Sequence, residues 1–379
     1  MVIPMCLISD GVTRQDEGVI LRAVLVTGGA GFIGSCMVRR LIREKACQVI
    51  VLDKLTYAGR LENLAEVEDS ELLHFQRGDI GDKALVRYLL QTYSPDWVIN
   101  LAAESHVDRS IDHPSVFVQT NVVGVCHLLE ACLDYWLRLS SAKQEKFRLL
   151  QASTDEVFGS LGAKGQFTRL SPYAPRSPYA ASKAAADHFV RAFFHTYHLP
   201  TIVTNCSNNY GPYQYPEKLI PLMVRRAIEG MTLPVYGDGS NVRDWIHVED
   251  HVRGLETALA RGEPGEEYLF GGDCERSNLD IVKALCVYLD QLSPLANGRS
   301  HAQQIGFVKD RPGHDRRYAI SSLKARQLLD WQPLVEFEAG LKETVQWFLN
   351  HRAWMEQVTR NVYEGDRLGL HHGQDAIDP

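Results

Sequence analysis

AVLVTGGAGFIG, residues 23–34, is a short apolar run with β-branched residues that ends among glycines at 28, 31 and 34. It leads into FIGSCMVRRLIREK (32–45), whose apolar residues have helical spacing. The reading is a strand, a tight turn and a helix. Glycines in such a turn let the main chain approach a pyrophosphate, which then sits at the positive N-terminus of the helix. A glycine-rich turn can also be merely structural, so its surroundings decide. VIVLD (49–53) is a second buried-strand run ending on Asp53, 19 residues after Gly34. A carboxylate there suits the adenosine ribose hydroxyls and repels the extra phosphate of NADP, which favours NAD. The competing reading of Asp53 is a turn cap.

The alternation continues outward. HFQRGDI (74–80), WVINLAA (97–103), LLQAST (149–154) and TIVTNC (201–206) read as strands. DKALVRYLLQTY (82–93) and PYAASKAAADHFVRAFFHTY (178–197) read as helices, with Pro178 in a first-turn position. Strands and helices in turn imply right-handed crossovers and a parallel sheet covered on both faces. The fold class is therefore α/β, a doubly wound, Rossmann-like parallel sheet. Asp79-Ile80 and Leu101-Ala102-Ala103 end two strands on the carboxyl edge, where such sheets bind ligands. After Asn205 the texture changes: SNNYGPYQYPEK is rich in turn formers. WIHVEDHVRGLETALA (245–260) then resumes a strand-helix pattern, and YLFGG (268–272) resembles one more sheet strand. The expected organisation is an extension over 1–21, a dinucleotide domain over 22–207 and about 236–273, and a smaller α/β substrate domain. The last takes about 208–235 and 274–355, before a polar tail over 360–379.

Bulk properties exclude several classes. The net charge of -7 argues against nucleic-acid and anionic-membrane partners. No apolar run approaches the roughly 20 residues that span a bilayer, and MVIPMCLISD lacks the basic start of a secretory signal. Cys6, Cys36, Cys47, Cys126, Cys132, Cys206, Cys274 and Cys286 are scattered without a CxxC pair or metal spacing. They read as thiols of a reducing cytoplasm, and no metal is expected; the His371-His372 pair reads as incidental.

The chemistry concentrates near the end of LLQAST. Tyr179 and Lys183 are four residues apart and share a helix face. A free tyrosine, with pKa ~10, is a poor base, but a nearby ammonium and a cationic nicotinamide both favour its phenolate. Such a phenolate takes a proton from a sugar hydroxyl while hydride leaves for NAD. YxxxK arises by chance in many helices; here it follows a credible cofactor site and a strand ending in Ser153-Thr154. Asp155 and Glu156 come next, and an acidic pair in a loop often only caps or solvates. Beside a hydride-transfer tyrosine it can divide an elimination: one carboxylate removes the hydrogen next to a new ketone, and one carboxylic acid protonates the departing hydroxyl. An epimerase needs no such pair.

STDEVFGS (153–160), PYAASKAAADH (178–188), NCSNNYGPYQYPEKLIPL (205–222), YGDGSNVRDWIHVEDH (236–251) and DRPGHDRRYAI (310–320) closely resemble segments of the dTDP-glucose 4,6-dehydratases. These belong to the extended short-chain dehydrogenase/reductase superfamily, and the resemblance covers about residues 22–350. The GDP-mannose dehydratases and UDP-xylose synthases instead carry a Thr-Ser-Glu type segment. The resemblance implies Asp155 as the acid for the C6 hydroxyl, Glu156 as the C5 base, and Tyr179, assisted by Thr154 and Lys183, as the C4-hydroxyl base. It implies an NAD site with Phe32, Ile33, Asp53, Lys54, Leu55, Thr56, Asp79, Ile80, Thr120 and Asn209, beside Gly28, Gly31, Gly34, Leu101–Ala103, Ser105, Tyr179 and Lys183. For the nucleotide sugar it implies Ser105, Thr154, Asn208, Lys218, Leu219, Ile220, Pro221, Leu222, Met223, Pro234, Val235, Tyr236, Arg243, Asn278, Asp310, Arg311, Pro312, Gly313 and His314. Arg243 is a fork suited to a diphosphate, with a surface ion pair as the plainer reading.

The function so implied is conversion of dTDP-glucose to dTDP-4-keto-6-deoxyglucose by a cytoplasmic homodimer. Its rivals are a dehydratase of UDP- or CDP-glucose and a catalytically silent nucleotide-sugar sensor. Phe158 stands where a tyrosine is common, removing a hydroxyl near the site, and Arg169 replaces a frequent acidic residue.

Overall fold

The computed structural model describes residues 22–45, 47–360, 363 and 368. The 1–21 extension, Cys6 and His371-His372 lie outside the described residues, as does nearly all of the tail.

Six apolar runs form successive strands: β1 (Ala23–Thr27), β2 (Gln48–Asp53), β3 (Leu73–Arg77), β4 (Trp97–Asn100), β5 (Arg148–Thr154) and β6 (Thr201–Cys206). β7 (Asn208–Tyr210), β8 (Leu233–Tyr236) and β9 (Val242–His247) follow, then β10 (Glu267–Phe270), β11 (Glu275–Ser277) and β12 (Ile305–Val308). Seven make one sheet in the order β10-β6-β5-β4-β1-β2-β3, and all its pairings are parallel. Strands buried on both faces must be apolar throughout, which is why β1 and β4 lack polar alternation. One face packs on Met37, Leu41 and Leu255, the other on Leu89, Leu128 and Val190. Chain order reverses between β1 and β4, and there the carboxyl ends open a cleft.

β9 departs from the reading of 236–273 as a plain return to the central sheet. It pairs with β7 and β11 in a separate three-stranded sheet, while its following helix, Val248–Arg261, and β10 do rejoin the large one. Periodicity marks a segment as a strand but not which sheet receives it. β8 and β12 form a third, two-stranded sheet. Around these small sheets Met223, Trp245, Leu285, Leu341 and Phe348 make a core of their own.

The helical stretch Pro114–Trp136 corrects a second expectation. The stretch is 23 residues long and its most apolar 18-residue window has mean hydropathy 1.5, enough to cross a membrane by length and composition. Gln119, Thr120 and Asn121 interrupt the run when it is read linearly. Here the helix covers the sheet through Val125, Leu128, Leu129 and Cys132, although its most apolar window is only 44% buried. Its middle, Val118–Gly124, widens into a π-turn.

Candidate active site

The cleft is built first from the glycine turn. Gly28 has φ +67°, and a Cβ there would come within 2.6 Å of the Ala102 amide nitrogen. At Gly34 a Cβ would stand 2.0 Å from the Gly28 carbonyl oxygen. Both positions demand glycine, by backbone shape at one and close approach at the other. Gly31, Phe32 and Ile33 complete this wall, opposite Leu101, Ala102 and Ala103. Asp53 borders the cleft and serves the turn too. Its carboxylate accepts from the amides of Ala30 (2.9 Å) and Leu55 (2.8 Å), the turn-capping role, while it also lines the cleft. Lys54, Thr56, Asp79, Ile80, Ser105, Thr120, Asn208, Asn209 and Lys218 also line it. A long cleft with a phosphate-sized glycine cradle and a carboxylate at the second strand fits a dinucleotide.

Leu55 is not brought to the cleft; with φ 56° it turns its side chain into the core. Nor are Ile220, Met223 and Val235, which belong to the core of the small sheets. Leu219 packs against that core and Leu222 beside Tyr215. Pro234 and Tyr236 lie on β8, and Asn278 opens the Asn278–Leu292 helix.

At the inner end of the cleft, β5 runs out at Thr154 and the chain makes a single 3-10 turn, Asp155–Phe158. Thr154 caps it by accepting the Glu156 amide (3.3 Å). Strand alternation sends the two hydroxyls apart: Ser153 donates to Asp187 at 2.6 Å, whereas Thr154 lies against Asp155 at 3.4 Å. Phe158 is buried between Phe167 and Tyr173, so its missing hydroxyl faces a core cluster rather than the cleft. Arg169 is at the surface, in a shallow depression with His188 and Arg191.

The two carboxyls inhabit different surroundings. Asp155 is 1% exposed, and its Oδ2 has no hydrogen-bond partner among the described residues. Burial pushes its carboxyl well above the ordinary range, with the charges of Glu156 and Asp244 adding to the effect. Burial also raises Glu156, but the cations of Arg311, Arg243 and Lys218 oppose it. Environments that separate paired carboxyls in this way favour one acid and one base. Arg243 is buried and hydrogen-bonds the carbonyls of Val242 (2.8 Å) and Asp315 (3.0 Å), which excludes the surface ion pair. Arg311 is held by Asp108 (3.2 Å), and Asp310 by His314 (2.6 Å).

Tyr179 and Lys183 both border the cleft, yet the ammonium donates to the Ala152 carbonyl (2.6 Å). In the protein alone burial pushes the Tyr179 phenol well up, reinforced by Glu156 and Cys206, against a Thr154 hydrogen bond that lowers it. Sequence reasoning missed three neighbours. Glu217 borders the cleft and holds Arg109 (2.9 Å). Asn121, on the π-turn, donates to Ser182 Oγ and the Glu104 carbonyl, both at 2.9 Å, tying the Tyr179 helix to the loop bearing Ser105. Asp187 lies behind Lys183. Glu217 and Asp187 fall within the segments 205–222 and 178–188, and Asn121 follows Thr120, but nothing else in the sequence marks them.

Comparison with known proteins agrees with this geometry. The family model described as GDP-mannose 4,6 dehydratase matches residues 25–344. The dTDP-glucose 4,6-dehydratase of Xanthomonas campestris pv. campestris (strain B100) is 54% identical over 345 residues, 91% of this chain and 98% of that protein. The dTDP-glucose 4,6-dehydratase of Streptomyces venezuelae, solved with NAD bound, superposes with TM-score 0.81 at 45% identity over 89% of this chain and 99% of its own. The UDP-glucose 4-epimerase of Thermus thermophilus, in complex with NAD, gives TM-score 0.75 at 30% identity over 87% and 99%. With the glycine cradle, the split carboxyl pair and these relatives together, the chain belongs to the dTDP-glucose 4,6-dehydratase family.

Proposed function

We propose that this protein is an NAD-dependent hydro-lyase converting dTDP-glucose to dTDP-4-keto-6-deoxyglucose. The observation carrying this reading is the split environment of Asp155 and Glu156 beside Tyr179. NAD, which the glycine turn at 28–34 and Asp53 would hold, would supply an acceptor for the C4 hydride and its source at C6. Tyr179 takes the C4-hydroxyl proton, with Thr154 beside it. Glu156, where the cations of Arg311, Arg243 and Lys218 oppose the effect of burial, removes the C5 proton made acidic by the C4 ketone and gives a proton back at C5. Asp155, protonated in its dry setting, delivers a proton to the C6 oxygen, which leaves as water. Each turnover leaves Tyr179 one proton richer and Asp155 one poorer, and the Thr154 hydroxyl between them offers the return path.

The Arg243 guanidinium, stacked 4.3 Å over Tyr318, suits the diphosphate. A homodimer is supported by the exposed apolar side chains of Val116, Val118 and Phe189, which lie on the two helices Pro114–Trp136 and Pro178–Tyr197. A face of that kind also accounts for an apolar helix that is only partly buried. The cytoplasm is the proposed compartment. The test supplies C4-deuterated dTDP-, UDP- and CDP-glucose separately. Keto product from the dTDP sugar with deuterium at C6 is expected; product without label would sink the closed hydride cycle, and faster turnover of UDP- or CDP-glucose would sink the substrate.

A further inference from the structure

Behind the cleft lies a buried polar chain that the reaction above does not use. Asp187 stands one turn beyond Lys183 on the same helix, so the two side chains share a face. Its carboxylate is fully enclosed. Oδ2 accepts from Ser153 Oγ (2.6 Å) and from the Tyr173 hydroxyl (3.0 Å). Oδ1 has no hydrogen-bond partner among the described residues. The Tyr173 oxygen also lies 3.1 Å from Glu267 and accepts from Arg191 at 2.6 Å, and Arg191 bonds Glu267 at 2.9 Å. The carboxylate is thus fixed from the strand, the loop and its own helix.

Lys183 shows the complementary deficit. It is buried, and its hydrogen bond goes to a neutral carbonyl, that of Ala152, next to Ser153 on β5. A buried ammonium compensated only by a carbonyl tends to lose its proton. Two consecutive residues of β5 therefore hold a buried ammonium and a buried carboxylate that stand four residues apart on one helix. An apolar side chain would be easier to bury at 187 than an acid with one oxygen unpartnered, so a purely structural role explains little.

We propose that Asp187 is a positioning residue: as counter-ion of Lys183 it keeps the ammonium charged and pinned to Ala152, so that positive charge persists beside Tyr179. The kinetic part of this proposal rests on the reading of Tyr179 as the sugar-hydroxyl base. The groups facing the pair are Arg191 on the same helix, Tyr173 on the loop, Glu267 on β10 and Cys206 on β6. Burial lowers Lys183 and Asp187 opposes that shift. Asp187 itself is pushed up to about 6 by burial, against the pull of Lys183, and so remains largely ionised at neutral pH. Neutralising it lets Lys183 lose its proton at lower pH, and Tyr179 then ionises at higher pH.

The test uses the full chain loaded with NAD and without substrate. Tyrosinate absorbance is followed against pH, and Tyr179 is isolated by difference from Tyr179→Phe. In Asp187→Asn the Tyr179 signal should appear about one pH unit higher. With dTDP-glucose, kcat at neutral pH should fall about tenfold or more and recover in part as pH rises, while KM changes less than about twofold. A Tyr179 titration that does not move overturns the proposal, as does a loss of kcat equal at every pH. If Asp187→Asn does not fold, Tyr173→Phe removes one donor to the carboxylate and must shift Tyr179 the same way, by less; no shift overturns the proposal. Failure of wild type to turn over dTDP-glucose would count against the substrate assignment alone, since the absorbance titration requires no sugar.

Discussion

Replacing Asp155 by asparagine should make the protein more stable as it makes it inactive, and the gain should depend on pH. The wild-type carboxyl is buried, raised well above its ordinary range, and has one oxygen without a partner. In the unfolded chain it ionises near pH ~3.9. Below that value both states hold the proton and this group brings no penalty. Above it the unfolded chain ionises while the folded one does not, so folding loses about 1.4 kcal/mol per pH unit until the folded carboxyl also titrates. Asparagine does not titrate. The stability difference between variant and wild type should therefore widen by at most about 2–3 kcal/mol between about pH 4 and pH 6. Asp244, pushed up to about 7 by burial, loses stability over the same range but is common to both proteins and cancels. Urea unfolding at several pH values measures the difference, with turnover of dTDP-glucose followed in parallel. kcat should fall by about 10²–10⁴ through loss of the acid. A difference that is flat in pH, or that narrows as pH rises, would refute the argument that Asp155 is held protonated.

Two further outcomes follow from the same geometry. Glu156→Gln should abolish turnover and exchange of the C5 hydrogen with solvent, while bound NAD survives purification; continued C5 exchange would mean that another group is the base. Gly34→Ala sets a Cβ 2.0 Å from the Gly28 carbonyl, backbone against backbone, and should cost about 1–3 kcal/mol of stability as well as NAD content. A variant that melts like wild type with full cofactor content would show that the turn can yield.

The central sheet was readable because its strands, the half-buried β3 aside, are largely apolar runs closed by turn formers, and the parallel order follows from the intervening helices. The candidate catalytic residues could be placed together for a different reason: they sit at strand ends or on one helix face, where sequence spacing translates directly into space. Reading failed where placement depends on distant partners. β9 has the pattern of a sheet strand, but its pairing with β7 and β11 is decided by packing around Trp245. Leu55 stands in a cofactor-like segment, and the sequence does not show that it takes φ 56° with its half-buried side chain packed against the core. Asn121 shows nothing in a linear reading, because its role comes from a π-turn that aims its amide at Ser182 and Glu104. Asp187 was quoted within a motif, but its burial against Ser153 and Tyr173 belongs to the fold alone.

What separates this site from a hydride-transfer site of the epimerase kind is a matter of direction. Tyr179 and Lys183 provide only oxidation at a sugar hydroxyl. Asp155 and Glu156 are adjacent in sequence, and adjacent residues on a continuing strand would face opposite sides of the sheet. The 3-10 turn instead rotates them apart by about 120°. One carboxyl is turned into a dry interior near Asp244, the other toward three cations. Those cations come from outside the dinucleotide fold's first 207 residues: Lys218 precedes the Leu219–Ile228 helix, Arg243 lies on β9, and Arg311 follows β12. The excursion after β6 therefore does more than enclose a sugar. It brings the positive charge that opposes the effect of burial on Glu156, while Asp155, one residue away, is left in a dry setting. On the proposed reading the small sheets therefore take part in the elimination and not only in substrate recognition.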